Sequence, residues 1–584
     1  MRISAVVQSR PFDIAAAMQE AVGLHRQDRL REAEKLYARV LKAAPEHFDA
    51  LHLLGLCKAQ NGRMGEAYRL MSAALKINPA APDVWKNFAL VLHGLKRDDE
   101  ALAALDRALA LRRDDPDALL NRGNALLSLN RPQEALGSFD AVLARDPRHR
   151  DALINRGAAR AALGQTAEAL ADFDAALAVA PGHAGALYNR GNALFDLGRH
   201  AEAIAAFDGA LAGAPNHVPA LNNRGRALQA LNRHKEAVES FDKAIALQKD
   251  YADAHSNRAL SLLTLGEFAR GFAEYEWRWR RTGMSDMRRS YHGALWLGEF
   301  PPAHKTILLL AEQGLGDTIQ FARYVPLLAR AGATVVLEVQ PALKDLFATL
   351  PGAAAVVAHG EPLPAYDLHC PLGSLPLALK TEAATIPADI PYLKADEARI
   401  AKWRPALDSL PGKRIALVWA GNPAHVNDRN RSIDANLFEP LLGLDGVSFV
   451  GLQRDLRAGD AEWLAGHPQV RELGAELADM ADIAAVLALT DLLISVDTAP
   501  AHVAGAIGRP VWVLLPFSPD WRWTPARDPE KWEPVFGQDH AQTKSGERSP
   551  WYPQARLFRQ GALGDWPGVI ADVCDALARF VAEA

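Results

Sequence analysis

Apolar residues recur at helical spacing through the first half of the chain, and that pattern itself repeats. Asn-Arg-Gly stands at 121–123, 155–157, 189–191 and 223–225, and Asn257-Arg258-Ala259 follows, a period of 34 residues. Alanines at 135, 169, 203 and 237 hold the same phase, phenylalanines at 139, 173, 207 and 241 lie four residues later, and prolines at 147, 181 and 215 close the units. Such a period predicts helix–turn–helix units, about eight of them over residues 14–281, with degenerate ends. A single unit cannot bury its apolar face, so the array is stable only as a stack. Residues 282–304, with Gly283, Gly298, Pro301 and Pro302, read as a connector.

From Thr306 the pattern changes to short apolar runs alternating with helical segments. Strands are expected at 306–311, 334–340, 354–358 and 366–370, with helices near 317–331 and 341–350, within a first α/β half at 305–395. After a second connector near 385–412, a second half at 411–583 has strands near 413–419, 447–453, 491–497 and 511–515. Its helices fall near 435–443, 479–489, 499–507 and 565–583. The alternation predicts two doubly wound, Rossmann-like domains with a cleft at the C-terminal ends of their strands.

The 34-residue units resemble the tetratricopeptide repeat, and a chain built of them forms an α-helical solenoid that binds a protein or peptide on its concave face. Asn121, Asn155, Asn189, Asn223 and Asn257 form a candidate ladder. Carboxamides pair with a peptide backbone without reading its side chains, or each bonds to a neighbouring helix. The ladder is similar to that of the protein O-linked N-acetylglucosamine transferases, which implies a grip on a protein acceptor. Arginines at 122, 156, 190, 224 and 258 follow each Asn, as a basic stripe or as a solvated helix face. The stretch Glu274–Arg281, in which aromatics alternate with charge, reads as the surface that packs the repeats onto the next domain, with a ligand site as the alternative.

Composition narrows the classes. A net charge of −5 and a pI near 6.4 give no expectation of nucleic acid as partner. Three scattered cysteines form no disulfide frame or metal spacing. No apolar stretch approaches the ~20 residues of a membrane span. A cytoplasmic protein is the expectation, because the first thirty residues lack a secretory core.

Chemistry concentrates at the strand ends of the second half of the chain. The run Leu308–Leu310 breaks at Gly314-Leu315-Gly316 and enters a helix through Asp317, which is either a first-turn cap or a general base in a cleft. The turn is not a dinucleotide fingerprint, because Ile319 occupies the third glycine position, and no Gly-Lys-Ser/Thr phosphate loop exists. After the strand ending at Trp419 come Arg429 and Arg431, cations suited to a diphosphate or simply a solvated loop. Asp497-Thr498-Ala499-Pro500-Ala501-His502 again runs from strand through a polar turn to a helix. There Thr498 can cap, the 499–501 amides can cradle an anion, and His502 is a site or a structural residue. Pro516–Trp523 follows as a stiff aromatic loop, and residues 524–549 as a polar loop beside the cleft.

Gly314–Asp317 together with Asp497–His502 resembles the ADP-heptose:lipopolysaccharide heptosyltransferases, and the whole chain looks like bacterial fusions of tetratricopeptide repeats with such a domain. That resemblance implies a GT-B fold over residues 305–583 and a nucleotide-sugar donor, used as substrate with no resident cofactor or metal. It implies Asp317 as the base. Gly314, Gly316, Arg429 or Arg431, Asp497, Thr498, Ala499 and His502 are implied on the donor side. An inverting transfer fits this set: one carboxylate for the acceptor hydroxyl, fixed positive charge for the leaving diphosphate. The alternative is a non-catalytic repeat scaffold with a degenerate transferase-like half.

Overall fold

The computed structural model describes residues 12–281, 291–425, 427–524 and 547–583. Part of the expected connector, 282–290, and most of the expected polar loop, 525–546, lie outside them. The chain divides into two compact units, Met1–Pro215 and Asn216–Ala584.

In the first unit, twelve helices from Ile14–Arg26 to His200–Gly213 pair as helical hairpins. Each turn between the paired helices needs one residue in the left-handed region: Asp28, Gly62, Lys96, Asn130, Gly164 and Gly198, again 34 apart. In the hairpins from Pro116 to Gly213, a glycine of the first helix lies under a phenylalanine of the second. A Cβ on Gly123, Gly157 or Gly191 would fall 2.3, 2.6 and 2.6 Å from the rings of Phe139, Phe173 and Phe207. The phenylalanine therefore fills space within its own unit, because the missing side chain opposite makes room for a fully buried ring.

The second unit begins with two more hairpins, Val218–Ala230 with His234–Leu247 and Ala252–Thr264 with Phe268–Tyr275. It continues into two parallel sheets. Strands β1 (Ala294–Leu295), β2 (Thr306–Leu310), β3 (Thr334–Val339), β4 (Ala353–Ala358) and β5 (Leu368–Pro371) form the first, in order β1-β5-β2-β3-β4. The second holds β6 (Lys413–Val418), β7 (Val447–Gly451), β8 (Val470–Glu472), β9 (Leu492–Val496), β10 (Val511–Leu515), β11 (Glu547–Arg548) and β12 (Ala555–Arg559), in order β11-β12-β10-β9-β6-β7-β8. Among the described strands only β11 is antiparallel. The strands are near-continuous apolar runs because helices cover both faces of a parallel sheet.

Several expected elements differ. The helix expected at 317–331 starts at Leu315 and breaks into Leu315–Ala322 and Val325–Arg330, with Pro326 unable to donate to a continuous ladder. The helices expected near 341–350 and 435–443 each begin as a tighter 3-10 turn, Pro341–Leu343 and Ala435–Phe438. The segment near 385–412 contains a helix, Glu397–Leu407, capped by Asp396, which accepts from Arg399 N at 2.9 Å. Strand β1 lies in the expected first connector and pairs with β5.

The hairpin packing carries a direct prediction. Gly157→Ala places a methyl against the rigid Phe173 ring and costs about 1–3 kcal/mol by overpacking. Chemical denaturation measures it, and an unchanged midpoint contradicts the packing described.

Candidate functional site

Each sheet reverses its strand order at one point, and ligands of open parallel sheets bind outside that point. In the first sheet the reversal lies between β2 and β5; in the second it lies between β6 and β9. The residues singled out from sequence stand on the segments that leave these strands.

After β2 the chain turns at Gly314 and starts the helix Leu315–Ala322. Asp317, in the first turn, accepts the Gly314 N–H on Oδ2 at 3.1 Å, and Thr318 Oγ1 donates to Gly314 O and Gln340 Oε1, both at 3.1 Å. Beneath the turn lies a buried ion network. Glu312 accepts from Arg278 Nη2 at 2.9 Å and from Gly373 N at 3.1 Å, while Ser374 Oγ accepts from Arg278 at 2.8 Å. Burial pushes the Glu312 carboxyl up, and Arg278 opposes it.

After β6, the short helix Asp428–Arg431 folds Arg431 back over Gly421, where a Cβ would lie 2.6 Å from the guanidinium. Arg431 Nη1 donates to Asp497 O at 2.9 Å, and its Nε lies 3.6 Å from Asp428 Oδ1. Arg429 is exposed. Arg457, not singled out from sequence, ties the loop together through Asp428, Ser432 Oγ (2.8 Å) and Gly421 O (3.3 Å).

After β9, Thr498 occupies the cap position of the helix Ala499–Ala506 but does not cap it. Its hydroxyl donates to Val496 O at 3.2 Å and bonds Ser495 Oγ at 2.9 Å. The expected anion cradle is also narrower. Pro500 has no N–H, and Ala501 N is spent on Thr498 O at 3.0 Å. His502 Nδ1 lies 3.0 Å from Tyr552 Oη and Nε2 lies 3.9 Å from Asp497 Oδ1. Burial and the fields of Arg522, Arg323 and Arg431 hold the imidazole well below its usual value, so it is neutral.

The two switch points meet. A Cβ on Gly316 would lie 2.7 Å from His502 Cδ2, so the helix after β2 touches the helix after β9 directly. Across the same junction Arg522, from the turn Trp521–Trp523 after β10, pairs with Asp317 Oδ1 and donates Nη1 to Asp520 at 2.7 Å. Sequence reasoning flagged the loop without this arginine. Part of the signal was present: a cation two residues after Asp520, at the strand end where the other site residues lie. Among the described residues, no three His, Cys, Asp or Glu side chains gather as metal ligands.

The repeat positions pair within their units. In the first unit Asn155 Nδ2 donates to Asn124 Oδ1 at 2.7 Å, and Asn121 and Asn189 are half-buried. In the second, Asn257 Nδ2 donates to Asn222 Oδ1 at 3.0 Å, and Asn222 donates to Asn223 at 3.1 Å. The neighbouring arginines are not a bare basic stripe. Arg122, Arg156 and Arg190 reach Asp106, Asp140 and Asp174 at 2.7, 2.8 and 2.6 Å, and Arg258 reaches Asp242 at 2.5 Å. An aspartate sixteen residues earlier, in phase with the repeat, neutralises each of them.

The tetratricopeptide repeat model matches residues 89–150, 120–178 and 154–218, and a TPR repeat model matches 225–266. The helical hairpins are tetratricopeptide repeats. The model of anaphase-promoting complex, cyclosome, subunit 3 matches residues 26–108. Protein FlbA of Caulobacter vibrioides is 28% identical over 351 residues, 55% of this chain and 54% of FlbA, so the chain spans about half the length of that curated relative. Among solved structures, a tetratricopeptide repeat protein from Parabacteroides merdae is 18% identical and covers 43% of this chain and 98% of its own, with a TM-score of 0.36. YrrB, titled a TPR protein with an unusual peptide-binding site, is 26% identical over 32% of this chain and 95% of its own, with a TM-score of 0.28.

The last tetratricopeptide hairpins brace the site loop. Asn232 Nδ2 donates to Phe517 O at 2.5 Å, Ser518 Oγ donates to Gln229 O at 2.8 Å, and Phe272 meets Trp521 edge-on at 5.7 Å. Tyr275 Oη accepts from Gln313 Nε2 at 2.7 Å, in the turn before Gly314. The aromatic end of the array thus packs onto the α/β half, as its composition predicted.

Asp497 supplies a pH test. Burial and the Asp520 carboxylate push its carboxyl up to about 6, although the side chain keeps 19% exposure. Between the usual 3.8 and that value the folded state binds more protons than the unfolded state. Stability from this group therefore rises as pH falls through that window, and the buried charge costs most above it. Asp497→Asn is expected to melt later than the natural protein at pH 8, by about 1–3 kcal/mol, with the gap closing toward pH 4. A pH-independent difference contradicts the assignment.

Proposed function

We propose that the α/β half is an inverting glycosyltransferase of GT-B type that takes a nucleotide-sugar donor, and that the tetratricopeptide array recruits a protein acceptor. The observation that carries this reading is one juxtaposition. Asp317 at the first switch point faces Arg522 and the Asp497–His502 turn at the second, with Arg431 bonded to that same turn.

The chemistry follows from the charges. The acceptor hydroxyl gives its proton to Asp317 as its oxygen attacks the anomeric carbon opposite the leaving group. The bond from that carbon to the diphosphate breaks, and the electron pair leaves on phosphate oxygen. Guanidinium groups pair bidentately with such oxygens, so Arg431 and Arg522 provide the positive charge that stabilises the leaving nucleoside diphosphate. Neutral His502 donates or accepts a hydrogen bond without adding charge. Repeat arrays present extended surfaces to other proteins, which supports a protein as acceptor.

A panel of nucleotide-sugars screened by thermal shift, followed by transfer assays, tests the reading. One donor is expected to bind and to be consumed. Asp317→Asn is expected to lower kcat by about 10²–10⁴-fold while donor binding is not lost. Transfer near the natural rate removes Asp317 from the role of base. If no nucleotide-sugar binds, the enzyme reading fails and a repeat scaffold remains.

A further inference from the structure

We propose that Arg522 is a donor-responsive latch on the base. Parked on Asp317 in the empty molecule, its guanidinium moves onto the diphosphate of an arriving nucleotide-sugar and so frees the carboxylate for the acceptor hydroxyl. The proposal rests on the glycosyltransferase reading and adds an obligatory order to it, donor before acceptor.

Both oxygens of Asp317 are engaged: Oδ1 by Arg522 Nη2 and Oδ2 by the Gly314 N–H at 3.1 Å. An acceptor hydroxyl cannot deliver a proton to Oδ1 until the guanidinium leaves. Arg522 is built to leave. Its Nη1 is held by Asp520 at 2.7 Å, whereas its buried Nε has no protein acceptor. The guanidinium lies 4.5 Å over the Trp521 ring and 5.8 Å from that of Phe321. A planar cation resting on aromatic faces re-aims with little loss of contact. Arg431 is placed differently, because its Nη1 bond to the Asp497 carbonyl fixes it on the donor side. A diphosphate offers more charge and more acceptor oxygens than one carboxylate, so it competes for the fork. The pair is also shielded, with side-chain exposures of 10% for Arg522 and 22% for Asp317, so solvent does not screen the exchange away.

Asp317 and the diphosphate then compete for one cation, which a double-mutant cycle reads directly. Calorimetric titration of the full chain with UDP, GDP, ADP and CDP first finds the nucleotide that binds. Asp317→Asn is expected to bind it at least ~5-fold more tightly, in the range of ordinary site-to-site coupling. Arg522→Gln is expected to bind it at least ~10-fold more weakly, through loss of the charged fork. In the double variant the gain from Asp317→Asn should vanish, because no guanidinium remains to be released. Should Arg522→Gln not fold, Arg522→Lys carries the same cycle with reduced coupling, since it keeps the charge without the fork.

An unchanged affinity in Asp317→Asn overturns the latch. So does a gain that persists without Arg522, which would be simple relief of repulsion between carboxylate and phosphate. Either result leaves the glycosyltransferase reading standing. Failure of the natural protein to bind any of the four nucleotides overturns both.

Discussion

The contact between Gly316 and His502 sets the geometry of the α/β half. Only a hydrogen atom fits at the Gly316 Cα position facing the imidazole, where a methyl would lie 2.7 Å from Cδ2. Two helices, each starting at the switch point of its own sheet, therefore touch near their N-terminal turns. Arg323, at the C-terminal end of the first helix, closes the same seam. It is buried, donates to Trp551 O at 2.6 Å and Gln320 O at 2.8 Å, and stacks over Tyr552 at 4.6 Å. Carbonyl oxygens and aromatic faces solvate this charge in place of water. One continuous apolar core, including Phe321, Trp521 and Trp551, runs through the junction and takes in Phe268 and Phe272 of the last repeat.

Electrostatics at that junction are arranged in opposition. Burial and three guanidinium groups keep His502 neutral, while burial and Asp520 push Asp497 upward. The charge of Arg522 is satisfied by Asp317 and Asp520. A site of this kind holds positive charge ready for an anion but spends part of it internally when empty. The repeat hairpins of the second unit enter the same economy, because Asn232 and Gln229 hold the loop that carries Arg522.

Much of this was legible in the sequence where the cause is local or periodic. The 34-residue period sets the hairpins, because the left-handed turn residue recurs from one unit to the next and the Gly–Phe pair recurs at 123/139, 157/173, 191/207 and 225/241. Strand positions followed from apolar runs, and the Gly314–Asp317 and Asp497–His502 turns from the polar residues that end them. The partner of each repeat arginine was readable in principle, since an aspartate stands sixteen residues before it. Other features depend on distant pairings. Arg522 and Asp317 are far apart in the chain, and neither carries a mark of the other. Thr498 has the right residue type for a cap, but the nearby Ser495 and Val496 capture its hydroxyl. Strands β1, β8, β11 and β12 are not among those expected, and their pairing comes from neighbouring strands: β1 with β5, β8 with β7, and β12 with β10 and β11.

Hydrogen–deuterium exchange with and without the nucleoside diphosphate that binds addresses the central claim, that the two switch-point turns form one ligand site. Amides of both 311–318 and 497–504 are predicted to slow together on saturation, with the 517–523 loop. Protection confined to one turn, or spread over surfaces away from both, contradicts a shared site.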